Sequence, residues 1–240
     1  MRVVARPSLS GSKNYERMSM RIGLFGGTFN PIHFGHLRTV LEVRERFGLD
    51  RVYLIPSAIP PHKSEVGMAS PLDRLEMIRQ AVADDSGFVV SNVELMRAGP
   101  SYTIDTLSFF AEVFTETDPH FLIVGLDAFL EIHTWKDFMG IMTRIPLIVM
   151  GRPGAYSQGR FADMPLAVAD YLDRFAPGYR YDREQAVFVH PGFQPVYLIG
   201  VTSLDISSSA IRSLVRSGRS IRFLVPETVS HTISSKGLYQ

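Results

Sequence analysis

Cysteine is absent from the 240 residues. That excludes disulfides, thiolate metal sites and thiol nucleophiles. Long apolar runs are missing too, and none approaches the roughly 20 residues needed to span a bilayer. No membrane partner is expected. Neither sign of charge dominates: 25 Lys and Arg stand against 24 Asp and Glu, a net charge of +1. Without a global basic field or a basic stripe interleaved with aromatics, no nucleic-acid partner is expected. Any grip on an anion has to be local. The one conspicuous Gly-rich stretch is not followed by Gly-Lys-Ser/Thr and does not read Gly-x-Gly-x-x-Gly, so neither a Walker loop nor a dinucleotide redox fingerprint is present there. What is present is ordinary for a globular chain, 45% hydrophobic and 20% charged. The length suffices to bury a core without staples.

Residues 1–20 begin with a polar segment carrying Arg2, Arg6, Lys13 and Arg17. It has no apolar h-region and is not a secretory signal. It reads as a disordered extension, or as an over-long start with Met18 or Met20 as initiator, and a cytoplasmic location is expected. Beyond it, short apolar runs at 22–25, 52–55, 88–91, 121–124, 147–150 and 196–199 read as buried strands. Helical patterns fall between them. Ser70-Pro71-Leu72-Asp73 looks like a capping box with proline at the first helical position, and 103–114 is amphipathic. The stretch 153–185 is less periodic, with a helix at 166–175. Strands alternating with helices predict an α/β fold, a doubly wound parallel sheet in a single domain over 21–240. In such sheets ligands sit beyond the carboxyl ends of the strands.

The most informative stretch is Gly26-Gly27-Thr28-Phe29-Asn30-Pro31-Ile32-His33-Phe34-Gly35-His36. It follows the first strand and precedes a run with helical spacing. Two glycines at a strand end let backbone approach a ligand closely. The following helix directs N–H groups and its positive dipole end to the same place, which suits a phosphate. His33 and His36 fall on one side of the first helical turn and can donate to phosphate oxygens. Together these residues describe a seat for a nucleoside triphosphate.

This stretch resembles the signature of the nucleotidylyltransferase superfamily with the His-x-Gly-His type motif, a family with a Rossmann-like fold. Within it, the chain from about Arg21 onward resembles the bacterial nicotinate-mononucleotide adenylyltransferases. That family usually has Asp where this chain has Asn30, and a structural role is expected there. The resemblance implies adenylyl transfer from ATP to nicotinate mononucleotide, with Mg²⁺ delivered by ATP and no metal cage on the protein. On the ATP side it implies Gly26, Gly27, Thr28, Phe29, His33 and His36.

Asp205-Ile206-Ser207-Ser208-Ser209-Ala210-Ile211-Arg212 resembles the family's Ile-Ser-Ser-x-x-Ile-Arg element. Read alone it is a serine-capped helix start. Beside the first motif it offers a second helix N-terminus, with Ile206, Ser207 and Ser208 at the triphosphate and Arg212 on the first turn toward the β- and γ-phosphates. The catalytic set is then His33, His36 and Arg212. Gly125-Leu126-Asp127, with Trp135 eight residues on, resembles the family's Gly-x-Asp…Trp segment. This implies Gly125 and Asp127 on the adenosine side and Trp135 stacked on the pyridine ring. Pro60-Pro61-His62-Lys63, Ser101-Tyr102-Thr103 and Arg152-Pro153-Gly154 resemble further family elements. They imply Lys63 and Arg152 at the mononucleotide phosphate and Thr103 at the nicotinate carboxylate. Two other readings remain open: another adenylyl- or cytidylyltransferase of this superfamily, such as one acting on phosphopantetheine, and a non-catalytic nucleotide sensor.

Overall fold

The computed structural model describes residues 19–60, 67–115, 117–151 and 163–240. The elements run β1 (Ile22–Gly27), α1 (Phe34–Arg46), β2 (Arg51–Pro56), α2 (Pro71–Ala81), β3 (Phe88–Val90) and α3 (Thr103–Val113). There follow β4 (His120–Gly125), α4 (Leu126–Phe129), α5 (Phe138–Arg144), β5 (Leu147–Gly151) and α6 (Met164–Phe175). The chain ends with β6 (Arg180–Asp182), β7 (Val187–Val189), β8 (Val196–Gly200), α7 (Ser208–Arg216) and α8 (Glu227–Ser235).

One sheet has the order β3-β2-β1-β4-β5-β8-β7-β6. The pairings from β3 through β8 are parallel. β7 and β6 then add to one edge in antiparallel register. The doubly wound parallel sheet is therefore as expected, with an antiparallel hairpin the sequence did not reveal. The central strands are apolar on both faces, as a sheet covered on both sides requires: Ile22 to Phe25 and Leu147 to Met150 are buried throughout. One core layer packs Ile104, Leu107 and Phe110 of α3, Ile141 of α5 and Leu172 of α6 on the sheet. The opposite layer packs Val40 and Val43 of α1, Met77 and Ile78 of α2, Ile211 of α7 and Val229 of α8.

α2 starts as its sequence predicts. The Ser70 hydroxyl accepts from the Asp73 N–H at 3.1 Å and donates to its carboxylate at 2.7 Å, with Pro71 as the first helical residue. The chain order reverses between β1 and β4, which pair directly. A crevice beyond the carboxyl ends of these two strands is where such a sheet receives a ligand. No helix of the described residues is long and apolar enough to cross a membrane.

Candidate active site

A cleft of about 870 Å³ opens at that point. Each residue nominated for ATP from the sequence lines it. Gly26, Gly27, Thr28, Phe29, His33 and His36 come from the end of β1 and the start of α1. Gly125 and Asp127 come from the end of β4 and the start of α4, and Ile206, Ser207, Ser208 and Arg212 from the start of α7.

The β1–α1 loop is shaped by rings. Phe29 has φ +48°, a left-handed conformation that a bulky residue adopts only under constraint. Its ring turns back over Gly27, where an added Cβ would lie 2.9 Å from it. The same ring meets His36 edge-on, with centroids 5.2 Å apart. His36 in turn stacks on His33 at 3.7 Å and an interplanar angle of 24°. A Cβ at Gly35 would meet the His33 ring at 2.9 Å. Thus Gly27 and Gly35 are glycines because aromatic rings fill the space beside them. The histidine pair is a packed unit, with His33 only 2% exposed. Each imidazole carries at least one N–H in either protonation state.

Two details differ from expectation. His33 is the N-cap of α1 rather than part of its first turn. The Phe34 N–H is taken by the Leu224 carbonyl at 3.0 Å, so that backbone donor is spent on the fold.

α7 approaches from the other side. Ser207 caps it, its hydroxyl accepting from the Ala210 N–H at 3.1 Å. The first intrahelical bond runs from the Ile211 N–H to the Ser207 carbonyl. The N–H groups of Ser208 and Ser209 are left as the orphan donors of this helix end. The Ser208 hydroxyl donates to the Pro31 carbonyl at 2.9 Å. Arg212 is the fifth helical residue, one place past the first turn where the sequence reading put it. Its Nη1 donates to the Asn30 carbonyl at 2.9 Å and its Nη2 to the Ser209 hydroxyl at 3.3 Å. The two segments nominated for phosphate, distant in sequence, are thereby bonded to each other.

The mononucleotide candidates divide. Lys63 and Arg152 lie outside the described residues. Thr103 and Trp135 do not line the cleft. Thr103 is the first residue of α3, but Tyr102, not Thr103, is the N-cap, and no side chain caps this end. The first helix bonds here come from the Asp105 and Thr106 N–H groups to the Tyr102 carbonyl. The donors ahead of them have no helix partner. Trp135 is half-buried against the α3-side core. Lys136 pairs with Asp105 at 3.2 Å and sits over the Tyr102 ring, which ties the Trp135 segment to the start of α3. Thr103 and Trp135 thus belong to one region, on the opposite sheet face from α1 and α7.

Three supporting groups, Arg74, Tyr239 and Glu94, were not read from the sequence. Arg74 is wholly buried and donates to the carbonyls of Thr28, Ala58 and Ala69. Asn30, as expected, is structural: its Oδ1 accepts from the Ala69 N–H at 3.0 Å and from the Tyr239 hydroxyl at 2.7 Å. Burial pushes the Tyr239 phenol well above the usual tyrosine range, so it stays a donor. Glu94 is buried behind α3, accepting from the Thr106 hydroxyl at 2.7 Å, and burial raises its carboxyl above the ordinary range. Among the described residues no group of three or more His, Asp or Glu is placed to hold a metal.

Glycine backbone, imidazoles, a helix N-terminus and a guanidinium gathered at the reversal point of a parallel sheet are groups that an α/β fold can offer to a phosphorylated ligand. Comparison with known proteins narrows the class. The family model described as cytidylyltransferase-like matches residues 24–214. A protein of Geotalea uraniireducens (strain Rf4), named probable nicotinate-nucleotide adenylyltransferase, is 44% identical over 220 residues, covering 92% of this chain and 98% of its own. A protein of the same name from Desulfatibacillum aliphaticivorans is 44% identical over 223 residues, covering 92% of this chain and all (100%) of its own. Among solved structures, the Plasmodium falciparum nicotinic acid mononucleotide adenylyltransferase complexed with NaAD shares the fold. Its TM-score is 0.68 at 17% identity, with 92% of this chain and 97% of that one covered. The chain belongs to the cytidylyltransferase-like family.

Proposed function

We propose that this protein transfers the adenylyl group of ATP to nicotinate mononucleotide, giving nicotinate adenine dinucleotide and pyrophosphate, a step of NAD biosynthesis. The observation that carries this reading is the stacked His33–His36 pair facing the N-terminus of α7 across one cleft. The names of relatives that match nearly end to end support it. An oxygen of the mononucleotide phosphate attacks the α-phosphorus of ATP. The bond from that phosphorus to the bridging oxygen breaks, and pyrophosphate leaves with the electron pair. The attacking group is already an anion, so no protein nucleophile is needed. Catalysis is positioning and charge stabilisation.

His33 and His36 hold α- and β-phosphate oxygens. Arg212 and the orphan N–H groups of α7 meet the charge growing on the leaving pyrophosphate, where donors lower the barrier more than they tighten binding. Gly26, Gly27, Thr28 and Phe29 supply the backbone wall, with Gly125 and Asp127 toward the adenosine. Mg²⁺ would enter with ATP as part of the substrate and would offset charge on its phosphates. On the mononucleotide side, the Thr103 N–H receives the carboxylate, Trp135 stacks on the pyridinium, and Lys63 and Arg152 meet the phosphate. The same reading places the protein in the cytoplasm.

The test is pyrophosphate release from Mg-ATP with nicotinate mononucleotide, beside nicotinamide mononucleotide and phosphopantetheine. Turnover with the acid alone supports the reading in full. Equal turnover with the amide removes the carboxylate role of Thr103. Turnover only with phosphopantetheine, or none with any of them, overturns the assignment.

A further inference from the structure

Arg74 is a cation with no carboxylate beside it among the described residues, at 0% exposure. Burying a charge is expensive unless its hydrogen bonds are made. Here they are made to backbone alone. Nη1 donates to the Thr28 carbonyl at 2.7 Å, Nη2 to the Ala58 carbonyl at 3.2 Å and Nε to the Ala69 carbonyl at 3.1 Å. These carbonyls belong to functionally different segments. Thr28 is in the cleft wall that faces the triphosphate. Ala58 is in the loop after β2, and its N–H donates to the hydroxyl of Ser101, which leads into α3 and Thr103. Ala69 is held a second time, by Asn30 of the phosphate loop.

We propose that Arg74 is a positioning residue for adenylyl transfer. One planar guanidinium fixes the triphosphate loop at Thr28 against the mononucleotide-side loop at Ala58, and so sets the attacking phosphate in line with the α-phosphorus. The proposal rests on the adenylyl-transfer reading and adds a residue to it that touches neither substrate. The guanidinium is suited because its fork spans three acceptors in fixed directions, whereas an ammonium is a single point with freely turning donors. A second effect follows from burial. The charge sits directly behind Thr28, where a low dielectric screens it less than water would. It therefore adds to the field felt by phosphates in front of that wall.

The prediction separates positioning from folding. Direct substrate contacts survive Arg74→Lys, so KM for each substrate should change less than threefold. The in-line geometry does not survive, and misplacement by a fraction of an ångström is felt in kcat. We expect kcat per folded molecule to fall at least tenfold in Arg74→Lys. Arg74→Gln, which keeps two donors and removes the charge, should show the same pattern. Steady-state kinetics in both substrates, with the folded fraction measured by circular dichroism at assay temperature, reads this out. Wild-type kcat in either folded variant overturns the proposal. So does a rise in KM at constant kcat, a loss of activity that only tracks the unfolded fraction, or failure of both variants to fold. An inactive wild-type protein overturns the adenylyl-transfer reading and this inference with it, whereas an active wild type beside fully active variants overturns this inference alone.

Discussion

Replacing Asn30 by alanine isolates the support of the phosphate loop from its chemistry. The Asn30 side chain is 6% exposed, and its Oδ1 accepts from the Ala69 N–H and the Tyr239 hydroxyl. Truncation leaves two donors without their acceptor. The Ala69 N–H is backbone and cannot turn away, so it bears the full penalty of an unmet buried donor, about 1–3 kcal/mol. The Tyr239 hydroxyl is 9% exposed at the residue level and can rotate in search of water, so about 1 kcal/mol is reasonable for it. The sum is about 2–4 kcal/mol, or about 4–16 °C in Tm for a chain of this size. Arg212 bonds the Asn30 backbone carbonyl, which the substitution leaves in place. Asn30→Asp retains both acceptor bonds and should stay within a few degrees of wild type, with pyrophosphate release preserved. The assay is a thermal melt by circular dichroism for all three proteins, beside pyrophosphate release. An alanine variant that melts within 2 °C of wild type would refute the reasoning, since the two bonds would then carry no net stability.

His36→Ala should lower kcat about 10²–10³-fold, the usual loss on removing a donor aimed at developing charge, with the melting temperature little changed; full activity at saturating substrates sinks the role of the histidine pair. Arg212→Lys keeps the charge but loses the fork. It should lower kcat about 10–10²-fold while KM for ATP shifts less, and unchanged kcat with raised KM would move Arg212 from transition-state to ground-state binding. Glu94→Gln should melt above wild type at neutral pH. Burial raises the Glu94 carboxyl, so its stabilising protonated form is present at low pH and is lost as pH rises through the raised value. Melts across pH 4–8 (about that span) should show the gap between the two proteins widening upward, and a constant gap refutes it.

The cleft-lining half of the candidate site was legible because its residues are local in sequence. Gly26 to His36 spans one strand end and one helix start, and Ile206 to Arg212 another helix start, so period and capping rules place each segment without knowledge of the fold. That the two segments touch through Arg212–Asn30 and Ser208–Pro31 is a tertiary fact no local rule contains. Arg74 reads as a charged helix position, and a charged helix position usually means solvent. Its stripe held the missed signal: Met77 and Ile78 stand three and four residues on, and both are at 0% exposure, so Arg74 had to face the core with them. Leu72 misleads in the other sense, being 71% exposed at the helix start. β6 and β7 are each three residues long, and β6, Arg180–Asp182, has no apolar run to mark a hairpin. The mononucleotide region rests more on family resemblance. Thr103 and Trp135 are brought together by contacts of their neighbours, Tyr102, Asp105 and Lys136, rather than by a pattern of their own.

On the adenylyl-transfer reading, a chain of net charge +1 holds a polyphosphate with few charges, and placement substitutes for number. A guanidinium has five N–H donors. Arg212 spends two of them on the Asn30 carbonyl and the Ser209 hydroxyl. Among the described residues the other three have no hydrogen-bond partner, on a group whose plane is already fixed by the scaffold. A donor fixed beforehand loses little entropy and needs no reorganisation when charge develops in front of it. A free surface arginine would have to give up much of its rotamer freedom first. The orphan N–H groups of α7 are immobile for the same reason, being part of a helix whose cap is already made. The bonds that look merely structural, from Arg212 to Asn30, from Asn30 to Tyr239 and from Arg74 to Thr28, therefore belong to the catalytic argument. Loosening any of them should appear in kcat before it appears in affinity.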